Sequence, residues 1–192
     1  CFAFAKSTSA AAQLGGLLHG FQTYQAKFNQ VTLDSKGAVI QRSYGRVMIR
    51  RPGGFRWEAD TPTKQIIIVD KKTLCTYDVD LQQATKRSLD TKASINPALL
   101  LSGSASNLTN QFNVTLVSGE AHTFLLKPKH GSDVSFKSVQ LRFKGGRLVG
   151  MRVVNSLGET SVFSFTHIQL NARLAPRLFQ FKPPPSVDVV NQ

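Results

Sequence analysis

Apolar positions along the chain change period, and the changes divide it into elements. Between residues 9 and 22, Leu14, Leu17, Leu18 and Phe21 fall at i, i+3, i+4 and i+7, one apolar stripe on a helix. Gly15 and Gly16 lower its helix propensity but permit close packing. From Thr23 the period becomes two: Tyr24, Ala26 and Phe28 alternate with Gln25, Lys27 and Asn29, which predicts a half-buried strand. Runs at about 39–50, 54–59, 65–70, 73–79 and 82–88 read as a meander, punctuated by turn residues at 34–37, 51–54, 60–62 and 70–72. The run "QIIIV" at 65–69 is apolar without alternation, which predicts a strand covered on both faces. Residues 95–103, "INPALLLSG", predict a short helix with a capping Asn96, Pro97 in its first turn and Gly103 at its stop. A piece this short needs an apolar surface to lie on. Strands resume at about 111–118, 121–127, 135–143, 147–154 and 159–170. The three prolines of "FQFKPPPSVDVV" forbid a central strand near the end. The expectation is a mainly β chain with a few helices. It is one domain over residues 6–192, with ten or eleven antiparallel strands in a sheet so bent that it closes or leaves a half-pipe needing a lid.

Charge narrows the partners. Lys and Arg number 24 against 11 Asp and Glu, for a net +13. That predicts attraction to an acidic partner, an anionic lipid surface or nucleic acid. The two cysteines, Cys1 and Cys75, make no disulfide framework and no zinc spacing. The opening "CFAFA" has small-x-small form and reads as the remnant of a secretory signal, residues 1–5, with Lys6 as the mature start; a lipidated Cys1 is the other reading.

Catalytic chemistry is thin. His19, His122, His130 and His167 stand in no metal-ligand spacing, with His122 and His167 placed in strands. Glu58 and Asp60 are the nearest pair of carboxylates and read as a solvated strand edge rather than an acid/base dyad. Nucleophile elbow, phosphate loop and dinucleotide fingerprint are absent, so no enzyme activity and no cofactor are expected. Arg46, Arg50, Arg51, Phe55, Arg56 and Trp57 would suit a sheet that stacks single-stranded nucleic acid. The other basic residues are spread along the chain rather than gathered in a stripe, and no nucleic acid is expected. The pattern alone leaves open whether the interior is an ordinary core or a pocket for apolar ligands.

The stretch "YGRVMIRRPGGFRWEAD" and the residues after it, as far as Ala84, carry a resemblance. Gly45, Arg51, Pro52, Phe55, Trp57, Pro62, Asp70, Leu74, Tyr77, Gln83 and Ala84 resemble the signature of the LolA family, periplasmic carriers of outer-membrane lipoproteins. The opening from Phe21 to Gln30, the piece "NPALLL" and the ending "FQFKPPPSVDV" are similar too. The resemblance implies a single half-open barrel with a helical lid and an interior that accepts acyl chains, working as a monomer in the periplasm. It implies cargo received from an ATP-driven inner-membrane transporter and passed to an outer-membrane receptor. It places the lid latch at Arg51, donating to carbonyls around Ala98, Leu101 and Ser102, and productive handover at Phe55. The acyl-chain cavity is expected among Leu17, Leu18, Phe21, Met48, Trp57, Leu99 and Leu100. Met48, Cys75 and Ala98 stand where the family carries aromatics, which predicts a roomier or differently shaped cavity. The rival on the same fold is a carrier or lipid-anchored receptor of another amphiphile, a glycolipid or lipid A type.

Overall fold

In a computed structural model of the chain, residues 8–70, 72–88, 97–103, 105–130 and 135–191 are described, with backbone alone for 97–99 and 105–107. The expected leader remnant at 1–5 and the capping Asn96 lie outside the described residues.

Helix α1 spans Ala10–His19. The Ser9 hydroxyl oxygen accepts the Ala12 amide at 3.2 Å, supplying one partner that the helix cannot. At the other end the Gly20 N–H donates to the Leu17 carbonyl, and Leu14 and Leu18 are buried. Phe21 lies past the helix end, so the stripe runs on into the connection to the first strand. The close packing that Gly15 and Gly16 permit is not used here: a Cβ at either would meet nothing within 4 Å. Gly16→Ala therefore removes backbone freedom from the unfolded chain without a clash, and should stabilise the protein by about 0.5–1 kcal/mol. A thermal or urea melt checks it.

Among the described residues twelve strands form one sheet, against the ten or eleven expected. They are β1 (Thr23–Leu33), β2 (Val39–Arg50), β3 (Gly54–Ala59), β4 (Gln65–Asp70), β5 (Thr73–Asp78), β6 (Gln83–Ser88), β7 (Phe112–Leu116), β8 (Thr123–Pro128), β9 (Phe136–Lys144), β10 (Arg147–Asn155), β11 (Thr160–Leu170) and β12 (Asp188–Asn191). The order is β12-β6-β5-β4-β3-β2-β1-β11-β10-β9-β8-β7, with β12 and β7 as free edges, so the curled sheet does not close. Two meanders are joined where β1 pairs with β11. The added strand is β12, parallel to β6: the prolines keep the chain off the sheet only until Asp188, and from there the edge of β6 accepts it. Two further differences concern the helices. Pro97–Ser102 is a 3-10 helix, and a second α-helix, α2 (Ala105–Gln111), comes after it where no element was expected. His122 sits in a turn at φ 52 rather than in a strand.

The two faces of the first meander bury different things. Val47, Ile49, Phe55, Trp57, Ile67, Val69 and Leu74 join the main core on the concave face. Met48, Arg56, Ile68, Cys75 and Lys86 stand opposite one another in successive strands, and so share the other face. The C-terminal segment covers that face. The Leu178 carbonyl accepts Arg56 Nη1 at 2.9 Å, the Arg50 guanidinium lies 5.1 Å from the Phe179 ring, and Lys86 lies 5.8 Å from the Phe181 ring. This explains "QIIIV": Ile67 and Val69 face the interior while Ile68 is buried beneath the tail. It also corrects the expectation for Met48 and Cys75. Their smaller side chains reshape the packing under the C-terminal segment, not the cavity. Burial pushes the Cys75 thiol up to about 11, with Lys86 pulling the other way. At pH 8 about 0.1% of it is thiolate against roughly a quarter of an ordinary cysteine. In a Cys1→Ser background, folded protein should react with a thiol reagent at least about a hundredfold more slowly than protein in denaturant.

Candidate functional site

The concave face is an aromatic wall. Strands β1, β3 and β11 each send alternate residues inward, and the rings meet across the strands. Phe28 stacks on Trp57 with centroids 3.8 Å apart, and Phe55 and Phe163 flank Trp57 at 6.4 and 5.7 Å. Phe163 continues to Phe165, then Tyr24, then Phe21, each step 6.5 Å or less. Phe112 with Phe136, and Phe124 with Phe143, line the far side. The one phenol in the chain of rings is satisfied: Tyr24 Oη donates to the Leu148 carbonyl at 2.9 Å, and burial raises its pKa. Among the described residues the buried polar side chains are Ser43, Ser102, Thr123 and Thr160, so the wall offers contact area far more than hydrogen bonds.

Arg51 stands where β2 ends, and this is a consequence of the turn. Its N–H donates to the Gln22 carbonyl at 2.9 Å, and Gly53 at φ 75 completes the reversal into β3. The side chain then reaches two other elements at once. Nη1 donates to the Leu18 carbonyl of α1, and Nη2 donates to the Leu101 carbonyl of the 3-10 helix at 3.2 Å. The guanidinium carbon lies 4.5 Å from the Phe21 ring. Both carbonyls belong to last turns, where a helix leaves its oxygens unpartnered and partly negative. A guanidinium suits this because its rigid fork presents several donors in one plane. Burial lowers the Arg51 pKa, and Nε is buried without a partner. The charge is held in place by two carbonyls and a ring face; among the described residues no carboxylate forms an ion pair with it.

Leu101 supplies its carbonyl and is itself buried, and Ser102 beside it is buried. The side chains of Ala98 and Leu99 lie outside the described residues. Leu17 and Leu100 pack, partly buried, against the core; Leu18, Phe21, Phe55 and Trp57 are fully within it. Met48 is not brought to this site, because alternation in β2 turns it to the covered outer face. Three contributions escaped the sequence reading: the Leu18 carbonyl, the Phe21 ring under the guanidinium, and the Phe28 and Phe163 rings that pack on Trp57. The last had a signal, since Phe28 and Phe163 occupy inward positions of alternating strands. The first had none, because a backbone carbonyl carries no residue identity.

Glu58 is held on the outer face by Arg46 at 2.7 Å and Arg56 at 2.6 Å, while Asp60 is exposed. Among the described residues no three His, Cys, Asp or Glu side chains are placed to hold a metal ion. No described helix is long and apolar enough to cross a membrane.

Comparison with known proteins identifies the family. Residues 19–182 match the family described as "Outer membrane lipoprotein carrier protein LolA". An outer-membrane lipoprotein carrier protein of Coxiella burnetii is 52% identical over 96% of this chain and 88% of its own length. One from Pseudomonas aeruginosa is 36% identical over 99% of this chain and 91% of its own. Among solved structures, a LolA superfamily protein from Nitrosomonas europaea superposes with a TM-score of 0.53 at 16% identity, over 91% of this chain and 99% of that one. An uncharacterized conserved protein from Thermus thermophilus gives 0.62 at 13% identity, over 96% and 100%. These two speak for the fold, an open curled sheet with helices across it. The aromatic concave face and the guanidinium that ties helices over it therefore sit in a chain that belongs to the LolA family of outer membrane lipoprotein carrier proteins.

Proposed function

We propose that this protein carries outer-membrane lipoproteins across the periplasm with their acyl chains against the aromatic wall. It receives them from an ATP-driven inner-membrane transporter and delivers them to an outer-membrane receptor. The observation that carries the reading is the Arg51 fork, which joins α1 and the 3-10 helix over an apolar surface. Acyl chains cannot cross water uncovered: at about 0.8 kcal/mol per methylene, one long chain costs on the order of 12 kcal/mol. A wall of rings removes that cost without demanding a particular chain. The latch gives the empty wall a cover of its own, so that water does not meet it between cargoes.

The cycle rests on the competition between cover and cargo. Loading separates α1 from the 3-10 helix and breaks the two guanidinium–carbonyl bonds, and the transporter supplies the free energy. Release runs the other way, because reclosing of Arg51 onto Leu18 and Leu101 favours the empty state. Phe55, the second residue of β3 after the latch turn, is assigned to handover. The protein itself catalyses nothing in this scheme. The test is a fluorescent apolar probe with the purified protein, to which an acylated lipoprotein is then added. The probe should bind and be displaced stoichiometrically by the lipoprotein and not by its unacylated form. Displacement by a glycolipid alone would point instead to a carrier of another amphiphile.

A further inference from the structure

The end of the sheet furthest from Arg51 holds apolar side chains in water. Strands β1 and β2 turn over through residues 34–38, and β10 and β11 through residues 156–159. The two tips adjoin, because Leu33 pairs with Val39 on one side and Thr160 on the other. A Cβ on Gly158 would lie 3.5 Å from that of Ser35. On this rim Val39, Ile40 and Leu157 are 49%, 53% and 76% exposed. A bulge turns Ile40 out: Thr32 pairs with Gln41 and Leu33 with Val39, so the ladder skips the residue between. Apolar residues exposed singly need no account, but three gathered on adjoining turns do.

Cations stand behind them. Lys36 is in the turn, and Lys137, Arg42 and Arg152 are exposed nearby. Arg42, Val31, Val162 and Arg152 are opposite one another in β2, β1, β11 and β10, which makes one row across the outer face. The acids of the tips are turned inward to the turns themselves. Asp34 Oδ1 accepts the amides of Lys36 and Ala38, and Glu159 Oε2 accepts Asn155 Nδ2.

We infer that this rim docks on the surface of a bilayer containing anionic phospholipid. Ile40 and Leu157 enter the boundary between headgroups and chains, and Arg42 and Arg152 meet phosphates. A bilayer is the occupant the geometry favours over an acidic protein. A stable protein interface needs about 800 Å² and about 20–30 residues on each side, and turns at 34–38 and 156–159 supply only a small part of that. A lipid interface yields around such projections and draws each cation about fivefold more strongly. Eleven residue steps of β2 separate Val39 from Arg50, roughly 37 Å along the strand, so docking here leaves the latch clear of the lipid. The inference does not depend on the carrier reading, and the protein is tested empty.

The experiment is co-sedimentation with vesicles of phosphatidylcholine, alone or with part replaced by phosphatidylglycerol. The protein should bind only the anionic vesicles, and less as salt rises. Ile40→Asp with Leu157→Asp should cut partitioning at least about tenfold, and Arg42→Gln with Arg152→Gln by a similar factor. In a Leu157→Trp variant, emission should shift to the blue on anionic vesicles, over the steady background of the buried Trp57. No binding to anionic vesicles at low salt, undiminished binding by the Ile40/Leu157 variant, or an unshifted emission would each overturn the inference. The first of these is also the result expected if an acidic protein is the true occupant.

Discussion

Replacing Arg51 by leucine will leave the empty protein with its cover loose. The substitution removes two charge-assisted hydrogen bonds that bridge three elements, to the Leu18 and Leu101 carbonyls. Bonds of this kind contribute about 1.5–3 kcal/mol each. Against that, leucine gives up less rotamer freedom and needs no desolvation, so the net loss from the closed state is roughly 2–4 kcal/mol. That shifts the ratio of closed to open by about 30- to 1,000-fold. An apolar fluorescent probe, which competes with the cover for the same rings, should bind at least about tenfold more tightly to Arg51→Leu. Delivery of bound lipoprotein to an acceptor should slow, because reclosing no longer opposes the cargo. Arg51→Lys should fall between, since one ammonium keeps the charge but has no fork to span two carbonyls. If Arg51→Leu binds probe and hands over cargo as the unaltered protein does, the guanidinium is packing and not a latch.

The second large effect is on the frame that carries the latch. Gly45 lies in β2 opposite Ala59, on the concave side beneath Phe28. A Cβ there would stand 1.8 Å from the Glu58 carbonyl oxygen and 3.0 Å from the Phe28 ring. Neither neighbour can give. The carbonyl is part of the β3 backbone, and the ring is stacked on Trp57. Gly45→Ala must pry β2 from β3, straining the strand pair that ends at Arg51. Overpacking of a core costs about 1–3 kcal/mol, and each ladder bond lost adds about 0.5–1.5. The expected loss is roughly 3–5 kcal/mol, or a fall in melting temperature of about 6–20 °C for a chain of this size. Gly16→Ala, at a position with open space around it, should move the melt the other way. The pair separates glycine needed for close approach from glycine that is merely tolerated.

How much the sequence disclosed depends on which physical signals are local. Strands β1 to β11 were legible because polar–apolar alternation and turn residues are written in neighbouring positions. The helix Ala10–His19 was legible from its stripe. Strand β12 was not, since a parallel edge strand of four residues has no alternation to speak of and is defined by its neighbour β6. Helix α2, "ASNLTNQ", lacks an apolar stripe, and tertiary packing rather than propensity places it. Face assignment failed at Met48 for a related reason. In "VMIR" three apolar residues run together, and only the register with Arg56 and Ile68 shows which one points away from the interior. The contacts of Arg51 were half legible. Arg51 and the Leu101 carbonyl came with the family resemblance, whereas the Leu18 carbonyl required the turn of α1 to be seen above the end of β2.

The most direct measurement is a distance across the latch. Spin labels at Ala12→Cys on α1 and Gly103→Cys beside the 3-10 helix, with Cys1 and Cys75 replaced by serine, report whether the two elements part. Empty protein should show one narrow, short distance. Lipoprotein-loaded protein should show a longer one, and empty Arg51→Leu should already populate the longer distance. An unchanged distance on loading would mean that acyl chains are accommodated with the latch closed, and that the Arg51 fork does not govern access to the wall.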